Sequence, residues 1–263
     1  MKDRFFLIFF YSVLIAIALF FVILIISVIA QLKTSTSIRG INTSHLFFSI
    51  RLTIITATIS SVLAMLFAIP AAYILARYNF AFKNIIDAVL YLPIVISPVA
   101  LGAMMLLFFN TPIGKFFEDN FFRIVFEFPG IIMAQFIVVI GLSISLIRAI
   151  FEYIDPVYED IARTLGATKF KAFLSITLPL GKKGLVSSFL LTWAKAVGEF
   201  GATVTLAGAT TMKTETLPVA IFLSFSSADV YSACIFILVS LFISLSILFF
   251  IRKLYARDKR TFV

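Results

Sequence analysis

One cysteine, Cys234, and one histidine, His45, are all the chain has of the two residue types that build disulfides, zinc centres and most acid–base triads. A single thiol closes no intrachain disulfide and heads no cysteine-rich metal site. A single imidazole leaves zinc-hydrolase and triad chemistry without its parts. Charge is scarce too: Asp, Glu, Lys and Arg make up 13% of the residues, against roughly 25% in a soluble globular domain. No G-x-x-x-x-G-K-[ST] run occurs, so the chain has no phosphate-cradling loop of its own. What is abundant is apolar side chain, 62% of 263 residues. One compact core cannot hide so much. Lipid is therefore the expected solvent, and the expected class is an all-α integral membrane protein. The net charge of +9 is read as topology-setting basic residues held in the cytoplasm, and nucleic acid is not an expected partner.

A spanning helix needs about 20 predominantly apolar residues. Six segments meet that length within a single domain, 1–263: 5–30, 49–76, 86–109, 130–151, 184–208 and 229–251. Lys2 and Arg4 precede the first, which is longer than the apolar stretch of a signal peptide and reads as a retained helix. The third is interrupted by Pro93 and Pro98 in YLPIVISPVALG, as membrane helices allow where backbone faces protein or a wet cavity. With the N-terminus inside, fifteen basic residues fall on one face and six on the other, Lys195 lying within a helix. That asymmetry places both termini in the cytoplasm.

The one long cytoplasmic connection, 152–183, holds DPVYEDIARTLGATKFKAFLSITLPL. Asp155 suits an N-cap, Pro156 a first helical position, and Glu159 and Asp160 the positive end of the helix dipole. Gly166 suits a left-handed C-cap. Thr168 can cap a second short helix over 169–176, which Pro179 is expected to end. Phe170, Phe173 and Leu174 share a face at helical spacing. Such a face calls either for a groove on another protein or for the bilayer surface.

From Asp160 to Pro179 this loop resembles the EAA loop of binding-protein-dependent ABC importer permeases. Asp160, Ala162, Gly166, Ile176, Leu178 and Pro179 fall on the motif positions, with Asp160 for the usual glutamate and Ile161 for the first alanine. The resemblance implies a MetI-like permease fold and a coupling loop seated on a separate ATPase subunit. Arg163, Phe170 and Phe173 count among that loop's expected contact residues. It implies further a prokaryotic cytoplasmic-membrane location, with ATP and Mg used by the partner and no cofactor bound by this chain.

AKAVGEFGATVTLAG, KTETLPVAI and DAVLYLPIVISPVALG are similar to molybdate/tungstate permeases of the ModB type, with sulfate/thiosulfate permeases as near relatives. The resemblance implies two copies of the chain, two ATPase subunits and an extracytoplasmic oxyanion-binding protein. In the fifth segment Lys195 and Glu199 stand four apart and are expected to pair within the helix. Ala194, Gly198 and Ala202 form a small-xxx-small face. A path-lining role would engage Gly198, Glu199, Gly201, Thr203, Thr205 and Pro98, the threonines offering hydroxyls to a tetrahedral dianion. The alternative is a structural Lys195–Glu199 pair, since a glutamate facing an oxyanion would repel it.

Overall fold

The computed structural model describes residues 2–34 and 43–256. Arg39, Arg257, Lys259 and Arg260, four of the basic residues used in the topology count, lie outside them. The described residues form twelve helices, numbered in chain order: α1 (Lys2–Thr34), α2 (Thr43–Arg77), α3 (Lys83–Val95), α4 (Pro98–Phe109), α5 (Pro112–Asn120), α6 (Phe128–Tyr153), α7 (Val157–Thr164), α8 (Lys169–Ala172), α9 (Leu178–Val197), α10 (Gly201–Ala207), α11 (Leu217–Ser226) and α12 (Val230–Ala256). A π-helical turn, Phe173–Thr177, joins α8 to α9. Among the described residues four helices, α1, α2, α6 and α12, are long and apolar enough to cross a membrane, or five if the bent pair α3–α4 is one span, against the six segments expected; α9 is not among them.

The centre of the fold is α2 packed along α6. Ala57, Ala64, Ala68 and Ala72 of α2 are fully buried, and side chains that small let a second helix approach closely. Ile144, Ile147 and Phe151 of α6 fill the space at one end. Three hydroxyls on the buried side of α2 find partners within the protein, as suits a setting where no water competes. Thr53 donates to the Ser49 carbonyl (2.7 Å), Thr56 to that of Leu52 (2.9 Å), and Ser60 to Gln135 Oε1 of α6 (2.7 Å). By contrast α1 is almost wholly exposed and touches only α12 among the major contacts, leaving its apolar surface to lipid.

Two helices are broken. The first break comes at only one of the two prolines expected to interrupt this segment: Pro93 lies inside α3, whereas Ile96 and Ser97 before Pro98 are extended, and the chain turns by 112° between α3 and α4. Pro98 forces this, because a residue before proline is pushed out of the helical region. The second was not anticipated. The expected fifth segment, 184–208, is α9 running to Val197, a three-residue interruption over 198–200, and then the short α10.

Pro179 departs from expectation as well. It does not end the second loop helix but sits in the first turn of α9, and the backbone runs helically from Lys169 to Val197. The π-turn just before it absorbs the defect, since a proline has no N–H to give and its ring crowds the carbonyl four residues back.

Candidate functional site: the elbow between α6 and α9 and the broken helices

The loop between α6 and α9 is a compact elbow built by local capping. Asp155 Oδ1 accepts the Val157 N–H (2.9 Å) and starts α7. Gly166 takes φ +90, where the Gly166 N–H reaches the Arg163 carbonyl and the Ala167 N–H that of Ala162, both at 3.0 Å. A left-handed residue is needed to close that C-terminal turn, and glycine adopts it without a Cβ penalty. Thr168 Oγ1 accepts the Lys171 N–H (3.2 Å) and starts α8.

What holds the elbow to the membrane domain is Glu159, a residue read from sequence only as a dipole-favoured acid. Its carboxylate is buried and takes three hydrogen bonds: from Tyr73 Oη (2.6 Å), Arg77 Nε (2.9 Å) and Thr177 Oγ1 (2.6 Å). Arg77 also donates to the Ile154 carbonyl at 2.8 Å, tying the end of α2 to both ends of the loop. Burial by itself pushes the Glu159 carboxyl up. The bonds from Thr177, Tyr73 and Arg77 outweigh it and hold the group below its usual range, so it is ionised at neutral pH. The signal that could have found it is the spacing of Tyr73 and Arg77, four apart at the last turn of a helix facing the same side.

The three apolar residues expected to share a face divide. Phe173 is half-buried, its ring 4.6 Å from that of Tyr73 and 6.1 Å from that of Phe151, so it anchors the elbow from below. Phe170 is 70% exposed, and with Leu165 at 83% it gives the elbow an apolar outer edge. Asp160 and Arg163 pair at 3.1 Å on that outer side. Ala162 and Ile176 are half-buried, and Pro179 is exposed. A second ion cluster, absent from the sequence reading, clamps α3 to α6: Arg148 Nη1 donates to both Asp87 oxygens (2.7 and 2.8 Å) and its Nε to Glu152 (2.7 Å).

At the two helix breaks the structure gathers part of the expected path set. Gly201 lies against Pro98 and Val99, and a Cβ there would meet Val99 N at 3.1 Å. One helical turn on, a Cβ at Gly102 would stand 2.8 Å from the Ala202 carbonyl oxygen and 2.9 Å from Thr205 Cβ. The halves α4 and α10 therefore interlock through Pro98, Gly102, Gly201, Ala202 and Thr205. Thr203 is fully buried, and the Thr205 hydroxyl is occupied by the Gly201 carbonyl at 2.7 Å.

The Lys195–Glu199 pair is not formed. Glu199 is 2% exposed and its Oε1 accepts the Ala202 N–H at 3.0 Å, so it caps α10, while Lys195 is exposed. The four-residue rule holds only within a continuous helix, and this one ends between them. The same break divides the small-residue face: Gly198 is exposed, whereas Ala202 packs on Gly102. The Trp193 indole N–H donates to Thr58 Oγ1 at 3.0 Å.

Residues 64–260 match the family described as binding-protein-dependent transport system inner membrane component. The chain belongs to that family. It is thus an ABC importer permease, a multi-pass membrane subunit. It is 35% identical over 216 residues to the sulfate transport system permease protein CysW of Synechocystis, covering 78% of each chain. It is 34% identical over 204 residues to the molybdenum transport system permease protein ModB of Haemophilus influenzae, covering 75% of this chain and 89% of that one. The molybdate/tungstate transport system permease protein WtpB of Thermococcus kodakarensis is 33% identical over 170 residues, 65% and 64% of the two chains. A bacterial alginate ABC transporter, solved in complex with a pentasaccharide-bound periplasmic protein, has a chain that superposes with a TM-score of 0.73 over 94% of both chains. At 17% identity that likeness speaks for the fold alone.

Proposed function

We propose that the chain is the membrane subunit of an ATP-driven importer of tetrahedral oxyanions, with molybdate and tungstate preferred. In this reading it crosses the membrane six times, α9 and α10 together forming the fifth crossing, with both termini in the cytoplasm. Two copies assemble with two ATPase subunits that carry the nucleotide and Mg, and an extracytoplasmic binding protein delivers the anion. The observation that carries the coupling part is the elbow. It presents Leu165 and Phe170 outward while Glu159 fastens its inner side to α2. A groove on an ATPase subunit would cover that apolar edge, and a push on it would reach α2 and α6 through a buried ion pair.

Molybdate and tungstate are favoured by the stretch from Ala194 to Gly208, and relatives named for those ions support the choice. Sulfate is the second reading, because CysW is as similar to this chain as ModB. Proteoliposomes holding the permease, its ATPase and its binding protein test the proposal. Molybdate or tungstate should accumulate only when both ATP and the binding protein are present, and excess sulfate should compete poorly. Uptake driven by an ion gradient without the ATPase would refute it. Efficient competition by sulfate would move the substrate to the second reading.

A further inference from the structure

Lys195 lies on α9 twelve residues beyond Lys183. At about 1.5 Å of rise per residue it is about 18 Å deeper than the basic start of that helix, in a hydrocarbon layer about 30 Å thick. A four-carbon stem cannot bring the ammonium back to the headgroups from there. Beyond the break, α10 carries the chain only seven residues further. Lys195 therefore sits in the middle third of the span. Its side chain is exposed, on a stripe of α9 that also exposes Leu180, Leu191 and Gly198.

No carboxylate at that depth is free to meet it. Of the chain's 13 acids, Glu199 is nearest in sequence, and it is buried and holds the Ala202 N–H. Asp87 and Glu152 both bind Arg148 near the opposite ends of α3 and α6 from the breaks. The other described acids lie at or beyond helix ends or outside the apolar spans. A second copy of the chain would bring the same set, so dimerisation supplies no acid either. An ammonium that can neither snorkel nor pair must face a wet passage, and it is fit to meet an anion there.

We infer that Lys195 is the fixed positive charge an oxyanion meets midway along the translocation path, one from each of two copies facing a dianion. The inference rests on the proposed oxyanion import by a homodimer. A flexible, hydrated ammonium suits transit better than a guanidinium fork, since a path site must bind strongly enough to admit the ion and weakly enough to release it. The neighbouring Gly198 has only backbone within 4 Å of where a Cβ would stand, the nearest atom at 3.8 Å, which leaves room beside the lysine.

The test uses the whole complex in proteoliposomes with molybdate and sulfate as probes. Lys195→Met should assemble and hydrolyse ATP in response to the binding protein, yet move about tenfold less anion per ATP, a ratio equivalent to about 1.4 kcal/mol. Lys195→Arg should keep most of the uptake. Lys195→Cys, made in a Cys234→Ser background, should recover when an aminoethyl thiol reagent restores the ammonium, and not when a neutral hydroxyethyl reagent is used. Unchanged uptake by Lys195→Met overturns the inference. So does recovery with both reagents or with neither, which also decides the matter if the methionine variant fails to assemble. A parent complex that moves no oxyanion fails the proposed function instead, and that result is visible before any variant is made.

Discussion

Replacing Glu159 by glutamine removes one charge and little volume, and its consequences can be worked from the geometry. The carboxylate accepts from Tyr73, Arg77 and Thr177 at 2.6–2.9 Å. The Arg77 and Glu159 side chains are 7% and 11% exposed, so the pair is little screened by water. A hydrogen bond to a charged group is worth about 1.5–3 kcal/mol net, and breaking a buried pair by truncation about 3–5 kcal/mol. The amide keeps one acceptor oxygen but turns an N–H2 toward groups that are themselves donors. A loss of about 2 kcal/mol in the docking of the elbow onto α2 follows, or roughly 30-fold in its opening equilibrium. Hydrogen exchange reads this directly: amides of α7 and α8 should exchange roughly 30-fold faster, while those of α6 hold their rates. In the assembled transporter, ATP turnover should continue as transport per ATP falls, because the loop still binds the ATPase but no longer moves α2 with it.

The pH dependence has a defined sign. Glu159 is held below the usual carboxylate range, so its contribution is complete above the free-carboxyl pKa, about 4.3. It is lost as pH falls through the lower value in the folded protein. The parent should therefore show an acid limb of loop opening that Glu159→Gln lacks. Parent-like exchange in the variant at neutral pH would refute the reasoning, as would a double-mutant cycle with Arg77→Met giving no coupling energy.

Four further outcomes are expected. Phe170→Asp should leave the chain's thermal stability unchanged and weaken capture of the ATPase subunit at least about tenfold, as loss of an exposed aromatic anchor does. Phe173→Ala should instead lower the chain's own melting temperature, since its ring fills the space between Tyr73 and Phe151, at about 2–3 kcal/mol for a half-buried aromatic. Gly102→Val should destabilise the α4–α10 contact by about 1–3 kcal/mol through overpacking, seen as a lower unfolding temperature and reduced uptake. Glu199→Ala, measured the same way, should cost about 1–2 kcal/mol by removing the acceptor of the Ala202 N–H, with Glu199→Gln close to the parent.

Much of the membrane architecture is written locally and can be read locally. Apolar length marks α1, α2, α6 and α12, Pro98 marks the turn between α3 and α4, and Asp155, Gly166 and Thr168 mark the ends of the loop helices. Each of these depends on a residue and its neighbours within a few positions. The failures share a different cause. Glu159 and Arg77 are 82 positions apart, and no short-range rule joins them. The expected end at Pro179 and the expected Lys195–Glu199 pair both assumed regular α-helix where the fold uses another state, a π-turn in one case and an interruption in the other. Neither state has a proline at its centre to announce it. What selects the interruption at 198–200 is tertiary: Gly201 and Ala202 must come against Pro98 and Gly102, and a straight helix would not take them there.

That interruption gives two charges four residues apart opposite tasks. Once the helix ends at Val197, the amides of α10 need an acceptor inside the membrane, and Glu199 supplies it. A neutral hydroxyl could fill that role at an exposed helix start. Here the N-terminal end of α10 is buried against α4, where a carboxylate makes the stronger bond and offsets the helix's positive end. Its negative charge is thereby spent within the protein, and it adds little repulsion to an anion passing nearby. Lys195, released from its expected partner, stands on the exposed face of α9. Had the helix run on unbroken, the two would have neutralised each other, and the middle of the span would present an anion with no net attraction. The break that shapes the α4–α10 contact is thus also what leaves the lysine free to act, so a variant that mended the helix should disturb both.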